Sequence, residues 1–292
     1  MSRYKYLPST LAEVLMTQGI SVRRPVHGIQ TGFHRSPHHG ASIEFAEYRA
    51  YTPGDPISRI DWPVYARTDK YLIRQCYEET NLRATILLDT SASLAFRDVG
   101  PMTKMEYGCF LAAGLMFMLV NQRDTVSLMA FDAKMTKGFS PAGTSEGIRP
   151  MLEYLETIQP AGCGDIEAAI HEAANRIESK GLVVIISDFL QHADKILRGI
   201  RHLHHDGHNI VVFHVMDRGE RKLSFGGVAD LRDLETNARL ILDVDEVREA
   251  YEVAVARHQE TLRAVCADCL ASYHLIETTQ PVHTVLSRLG SS

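Results

Sequence analysis

No part of this 292-residue chain is apolar for long enough to span a bilayer. The longest such run, Phe110 to Val120, is interrupted by Gly114, whereas a spanning helix needs about 20 apolar residues. The first residues, MSRYKYLPST, lack the apolar core of a secretion signal. Cysteine is sparse and odd in number, five residues at Cys76, Cys109, Cys163, Cys266 and Cys269, which reads as reduced thiols and not as a disulfide framework. Basic charge is not in excess either: 31 Lys and Arg face 36 Asp and Glu, for a net charge of −5. With no basic tract, binding driven by nucleic-acid phosphates is disfavoured. A Walker-type glycine loop with lysine and a Gly-x-Ser-x-Gly elbow are both missing, as are internal repeats and low-complexity linkers. These absences imply a cytoplasmic protein with no membrane insertion. Its 45% hydrophobic and 23% charged content is ordinary for a folded domain.

What is present is a repeated pattern. Four apolar runs each end in aspartate: Ala84–Leu88 before Asp89, Val126–Phe131 before Asp132, Leu182–Ser187 before Asp188, and Ile210–Met216 before Asp217. Short, branched and uniformly apolar, such runs read as strands buried on both faces. Between them lie helical patterns at Met105–Val120, Gly147–Ile158, Ile166–Ser179 and Ala193–His204. Alternation of this kind predicts an α/β fold with a mainly parallel sheet and right-handed crossovers. All four acids then share one edge of the sheet. Further on, Leu240–Leu242 is a strand candidate in the same style, followed by a helix over Glu246–Cys266, a strand at Ala271–Ile276 and a helix at Val282–Leu289. Upstream, Leu7–Gln18 reads as a helix, 28–62 as loop-rich, and Tyr71–Glu78 as a strand. The expected organisation is a dependent N-terminal segment, 1–80, packed on an α/β domain, 81–292.

The chemistry concentrates after the first run, in Asp89-Thr90-Ser91-Ala92-Ser93. Ligands of open α/β sheets sit at the carboxyl ends of the strands. One carboxylate and two hydroxyls aimed at one spot make a hard oxygen site suited to Mg2+, which keeps several waters and takes few protein ligands. The competing interpretation is a strand end followed by a capping turn, since Ser and Asp favour both. Asp132 and Asp217 read as turn acids. Strand-end acids with magnesium also serve phosphoryl transfer, so a magnesium-dependent hydrolase using the strand-end aspartates is the alternative function. Ser91 stands where that chemistry would want a second acid.

Two sets of residues resemble known families. Asp89-x-Ser91-x-Ser93, with Asp188 downstream in Ile186-Ser187-Asp188, resembles the metal-ion-dependent adhesion site of von Willebrand factor A-like domains. The upstream segment resembles the signature of domain-of-unknown-function family 58, which precedes an A-like domain. Its residues here are Gly32-Phe33-His34-Arg35-Ser36, Gly40, Glu44-Phe45, Arg49-x-Tyr51, Pro53-Gly54-Asp55, Arg59-Ile60-Asp61-Trp62, Ala66-Arg67, Leu72 and Arg74. The resemblance implies a von Willebrand factor A-like (Rossmann-like) fold and a non-catalytic protein-binding module. It also implies a partner of the MoxR-type AAA+ ATPase class and a client complex that is assembled or activated. Mg2+ or Mn2+ would be held by Asp89, Ser91, Ser93 and Asp188, with a partner carboxylate completing the shell at Asp89, Ser91 and Ser93. One departure bears on this. The A-like site carries a threonine in a Gly-Thr-Asp-Ile loop, and this chain reads Gly162-Cys163-Gly164-Asp165-Ile166. Gly164 removes one hydroxyl, so either Asp165 or water substitutes, or the metal is weak or absent. Pro56 also replaces a second acid of the signature.

The remaining features receive structural readings. Arg49, Asp55, Arg59, Asp61 and Arg67 are expected to form buried ion pairs that fix an irregular segment, with Trp62 as a packing anchor. The histidine clusters, His34 with His38 and His39, and His202, His204, His205 with His208, lack a fixed zinc-ligand spacing. Cys266-x-x-Cys269 falls at a helix end instead of the helix N-terminus that lowers thiol pKa, so burial is expected.

Overall fold

The computed structural model describes residues 4–17, 43–55, 57–78 and 81–289. In chain order the elements are α1 (Ser9–Thr17), β1 (Ile43–Ala50), α2 (Trp62–Thr68), β2 (Leu72–Glu78), β3 (Arg83–Asp89), α3 (Lys104–Asn121), β4 (Thr125–Phe131), β5 (Met135–Gly138), α4 (Arg149–Leu155), α5 (Ile166–Arg176) and β6 (Leu182–Ser187). There follow α6 (Ala193–His205), β7 (Asn209–Met216), α7 (Arg218–Lys222), β8 (Val228–Arg232), β9 (Arg239–Asp243), α8 (Val244–Asp268), β10 (Ser272–Glu277) and α9 (Val282–Arg288). By its contacts the chain divides into two compact units, Met1–Pro25 with Leu82–Ser292, and Val26–Asn81.

The larger unit is built on a six-stranded sheet of order β10-β7-β6-β3-β4-β5. Every neighbouring pair is parallel except β5, which runs antiparallel to β4 at one edge. Counted along the chain within this sheet, the order is that of a doubly wound α/β fold. Its direction of winding reverses between the first strand, β3, and the fourth, β6, and a crevice forms at such a switch point. The four aspartate-tipped runs are four adjacent strands, as the α/β expectation requires.

The strand period of two sets the layers. Ile86 and Leu88 of β3 join a buried cluster with Leu111, Leu115 and Leu119 of α3 and with Leu286 of α9. Leu87, between them, joins the opposite cluster with Ile170, Ile200 and Leu262 of α5, α6 and α8. Each such side chain contributes about 1.5–3 kcal/mol on burial. Helix α3 is buried nearly all round, and α1 adds Leu15 to the same cluster. Thr103 and Glu106 form a reciprocal capping box at the start of α3, which fixes where that helix begins. Among the described residues no helix is long and apolar enough to cross a membrane.

Leu240–Leu242 forms a strand, as expected, but β9 pairs antiparallel with β8 as a two-stranded ribbon separate from the main sheet. Val228, Leu240 and Ile241 of that ribbon are 77%, 58% and 63% exposed, so its apolar residues lack the burial that a sheet strand requires. Within the region read as loop-rich, residues 43–50 form β1, antiparallel to β2. The turn-forming residues Gly40, Pro53 and Gly54 flank this stretch without interrupting it.

In the smaller unit Arg49 Nη2 donates to both carboxylate oxygens of Asp55, at 2.8 and 2.9 Å. Asp61 caps α2 by accepting the Val64 N–H at 3.2 Å and accepts the Tyr48 hydroxyl at 2.9 Å. These acids tie the segment to itself, but the Arg49–Asp55 pair is partly exposed, at 41% and 23% for the two side chains. The buried ion pair expected here is thus a surface one. Arg67 lies in the last turn of α2, and Trp62 is half exposed with its ring edge-on to Tyr65. The side chains of Arg59, Glu44, Phe45, Arg74 and Cys76 lie outside the described residues, as do Pro56, Gly32 to Ser36, Gly40 and the cluster of His34, His38 and His39.

Candidate functional site: a buried rim of oxygens at the switch point

Strand β3 ends on Asp89 and its parallel neighbour β6 ends on Ser187, so Asp89 and Asp188 leave adjacent strands at the same level. Ser187 Oγ donates to Asp89 Oδ2 at 2.6 Å, and the Ser91 N–H donates to Oδ1 at 2.9 Å. After Asp89 the chain turns into a short 3-10 helix, Ala92–Ala95. That turn brings Ser91 Oγ to 3.1 Å from Ser93 Oγ. The glycine loop is fastened to the same turn, since the Ala92 N–H donates to the Gly162 carbonyl at 3.0 Å and the Ala161 N–H to the Thr90 carbonyl at 3.0 Å. Gly164 consequently lies against Ser91: a Cβ added there would stand 3.5 Å from Ser91 Oγ. On the β6 side Phe189, buried and bulky, adopts φ 51°. A residue of that kind reaches the left-handed region only when its surroundings impose it.

The electrostatics of the cluster are uneven. Asp89, Ser91, Ser93 and Asp188 are only 2%, 1%, 7% and 2% exposed. Burial, and then the nearby charge of Asp188, push the Asp89 carboxyl up to about 7 against the opposing hydrogen bonds of Ser187 and Ser91. Asp188 has a resident cation, because Lys104 Nζ donates to its Oδ2 at 2.7 Å and to Glu220 Oε1 at 2.8 Å. Lys104 is fully buried. Burial by itself would lower its pKa, but Asp188 and Glu220 together raise it, so the ammonium persists. The Lys104 ammonium is thus shared by the buried Asp188 and the partly buried Glu220, and Asp89 makes no contact with it.

Other expected residues go elsewhere. Asp165 caps α5 by accepting the Ala168 N–H at 3.2 Å and lies 3.6 Å from Lys195 Nζ. Asp132 accepts the Lys134 N–H, and Asp217 holds a distant loop. His202 meets His171 across α6 and α5 and faces Asp206, and His208 Nδ1 accepts the Gly181 N–H at 3.3 Å. Cys266 and Cys269 are buried free thiols, with Cys266 pushed up to about 12 by burial. Lys104, Glu220 and Ser187 escaped the sequence reading. Lys104 carried one usable signal: a cation in the first helical turn opposes the helix dipole, and so calls for a specific carboxylate partner.

The oxygens present suit a divalent cation in part. Adjacent ligands of octahedral Mg2+ stand about 3 Å apart for bonds of 2.0–2.1 Å, close to the Ser91–Ser93 separation of 3.1 Å. A cation would also relieve the excess negative charge at Asp89. Asp188, already held by Lys104, is less free to ligate. Among the described residues no group of three or more His, Cys, Asp or Glu is placed to hold a metal, so any ion here depends on the serine hydroxyls.

The doubly wound, mainly parallel sheet with Asp-x-Ser-x-Ser at its switch point is the fold that the resemblance to von Willebrand factor A-like domains implies. The chain matches the family described as protein of unknown function DUF58 over residues 47–261, and it belongs to that family. Uncharacterized protein Rv1480 of Mycobacterium tuberculosis H37Rv is 30% identical over 267 residues, covering 89% of this chain and 82% of the relative. Uncharacterized protein Mb1516 of Mycobacterium bovis matches to the same extent, 30% over 267 residues. Among solved structures the chain is similar to BatB from Bacteroides thetaiotaomicron, at 18% identity and TM-score 0.48, with 72% of this chain and 98% of that one covered. It is also similar to the SpRpn10 VWA domain, at 12% identity and TM-score 0.46, with 73% and 98% covered.

Proposed function

We propose that the protein is a non-catalytic module that binds a partner protein through the Asp89, Ser91 and Ser93 rim. The observation that carries this reading is the pairing of a charge-starved Asp89 with two hydroxyl oxygens at ligand spacing. Mg2+ or Mn2+ held by these three residues would supply a Lewis-acidic site for an incoming Asp or Glu, a charge-assisted contact strengthened by the dry surroundings. Asp188 then acts from behind, adding negative charge while Lys104 keeps it in place. The resemblance of the two motifs makes a MoxR-type AAA+ ATPase the expected partner, with a further client complex, in the cytoplasm. Phosphoryl transfer is the weaker reading, since its second acid would have to be Asp188, which is committed to a buried ammonium.

The test is thermal unfolding of the full chain in chelator-treated buffer with added Mg2+ or Mn2+. A rise in Tm at millimolar metal, absent in Asp89→Ala, supports the reading, and no rise in the parent protein refutes the metal. Affinity capture from the native cell with parent and Asp89→Ala then asks for an AAA+ ATPase retained only by the parent. Hydrolysis of a generic phosphate ester would favour the enzyme instead.

A further inference from the structure

The β8–β9 ribbon is an arm whose body is scarcely held. Val228, Leu240 and Ile241 stand mostly in solvent, so burial, at about 25 cal/mol per Å2 of apolar surface, does little to fix it. At its base the Gly227 N–H donates to Asp245 Oδ2 at 2.9 Å and the Val244 N–H to the Gly227 carbonyl at 3.0 Å, with Gly227 in the left-handed region at φ 72°. The tip is built more firmly. Asp233 Oδ1 accepts the N–H groups of Glu235 and Thr236, each at 2.8 Å, and the Asp233 N–H donates to the Ala238 carbonyl at 2.8 Å. An acid that bonds the backbone two residues on makes a self-contained turn, so the tip moves as a unit with the arm.

Within that tip Glu235 is half-buried, while the other residues from Arg232 to Leu240 are exposed. What covers it is the glycine loop at the rim. Cys163 Sγ lies 3.6 Å from the Glu235 carbonyl oxygen, and the Gly164 N–H donates to Glu235 Oε1 at 3.4 Å. Gly164 is also the residue that lies against Ser91, so the arm reaches the rim through one shared residue. The grip is loose. A separation of 3.4 Å exceeds the usual ~2.7–3.2 Å, and among the described residues no Lys, Arg or His pairs with Glu235. An unpaired carboxylate is thus held beside a rim whose own acid, Asp89, already lacks a counter-charge.

We propose that the arm is an internal competitor of the partner protein: docked, it presents Glu235 at the Gly164 side of the rim in place of the partner's Asp or Glu, and the partner gains the rim as the arm lifts. This rests on the rim being the partner site and adds how access to it is regulated. Tethered by its own chain, Glu235 competes at an effective concentration in the ~millimolar range. When the rim holds Mg2+, Glu235 is drawn further in by a charge-assisted contact, and without it the loose bond to Gly164 lets the arm go. The partner's apparent Kd is raised by the reciprocal of the fraction of molecules with the arm lifted.

The test uses the full chain with Mg2+, and acetate as the carboxylate probe against chloride at equal ionic strength. It reads the rise in Tm that a bound ligand produces and, by mass spectrometry, hydrogen exchange over residues 233–238. Glu235→Gln keeps the size of the side chain and an acceptor for Gly164 but removes the charge, on a tip exposed enough to tolerate it. In the parent, Mg2+ should slow exchange at the tip, and acetate should restore it. In Glu235→Gln, Mg2+ should leave the tip unchanged, and the acetate midpoint should fall roughly tenfold, the value for an arm docked nine-tenths of the time. Asp89→Ala should remove the response to both Mg2+ and acetate. The proposal is overturned by acetate midpoints that coincide in parent and Glu235→Gln, by no acetate response in either, or by tip exchange indifferent to Mg2+ in the parent. Where Mg2+ raises Tm in both proteins, any of these results removes the arm's role and leaves the metal rim standing. Where Mg2+ raises Tm in neither, the rim and the arm fall together.

Discussion

Asp89 and Asp217 end strands of the same sheet, with only β6 between them, yet they live in opposite environments. Asp217 accepts from the N–H groups of Asp98 at 3.3 Å, Val99 at 3.1 Å, Gly100 at 2.9 Å and Gly219 at 2.8 Å, and from the Thr278 hydroxyl at 3.1 Å. Burial alone would lift its pKa, but these backbone donors hold it below the usual carboxylate range. Asp89 has two donors and a carboxylate neighbour, and it is pushed up to about 7. A strand-end acid saturated by backbone N–H groups is a structural knot. One left short of positive charge beside two hydroxyls is a place where a cation or a proton is wanted. The sequence pattern is the same in both, so function here is decided by what surrounds the acid and not by its position at the strand end.

The largest expected effect tests the cation that divides the two environments. Lys104→Met would leave Asp188 and Glu220 buried without their ammonium, and unfolding in urea should show a loss of about 3–5 kcal/mol. A loss below about 1 kcal/mol would mean that solvent already reaches the pair. Next comes Asp217→Ala, which strands five donors and should lower stability by about 3 kcal/mol. If it costs less than Asp89→Ala, the contrast between knot and site is reversed.

A smaller effect reads the proton on Asp89. Its folded pKa, about 7, lies above the ordinary value of 3.8, so the folded state holds a proton that the unfolded state has released. This group's contribution to stability is complete below the unfolded pKa and is lost as pH rises from about 4 to about 7. In chelator-treated buffer Asp89→Asn should flatten that decline, and above pH 7 it should exceed the parent by up to a few kcal/mol. Added Mg2+ should narrow the gap by raising only the parent. A parent whose Tm is unaffected by pH across that window would show that Asp89 is already neutralised.

The elements were legible where one physical signal dominated. The runs ending at Asp89, Asp132, Asp188 and Asp217 are buried on both faces, so their uniform apolarity could not belong to a surface strand. Helix α3 announced itself by being apolar nearly all round. The ribbon β8–β9 was not legible as such, because its exposed Val228, Leu240 and Ile241 mimic a core strand. At the site, local spacing identified Asp89, Ser91 and Ser93 as one cluster, since a tight turn holds them together. Lys104 and Glu220 were invisible because they lie 84 and 32 residues from Asp188 in sequence, and only the packing of α3 and α7 against the strand ends joins them. Asp165 was a plausible substitute by proximity in sequence to Gly164. Its role as the cap of α5 was equally available from the Asp-before-helix signal and describes where its carboxylate points.

The smallest effect sharpens the comparison most, because it tries to complete the charge-starved site with no change in its charge. Gly164 does not occupy the left-handed region, so a side chain there carries no backbone penalty. A Cβ would meet Ser91 Cβ at 3.4 Å and Oγ at 3.5 Å, ordinary contacts, and Gln191 Nε2 at 3.0 Å. The last is the end of a flexible side chain and can move, although Gln191 also caps the Ile166 N–H and yields some of that bond in doing so. Gly164→Thr therefore places a third hydroxyl beside Ser91 with little change in metal-free stability. The midpoint of the Mg2+-dependent rise in Tm should move to about tenfold lower metal, the equivalent of ~1.4 kcal/mol. An unchanged midpoint would mean that the missing hydroxyl is not what limits the rim, and that the Lys104 ammonium behind Asp188 sets its appetite for a second cation.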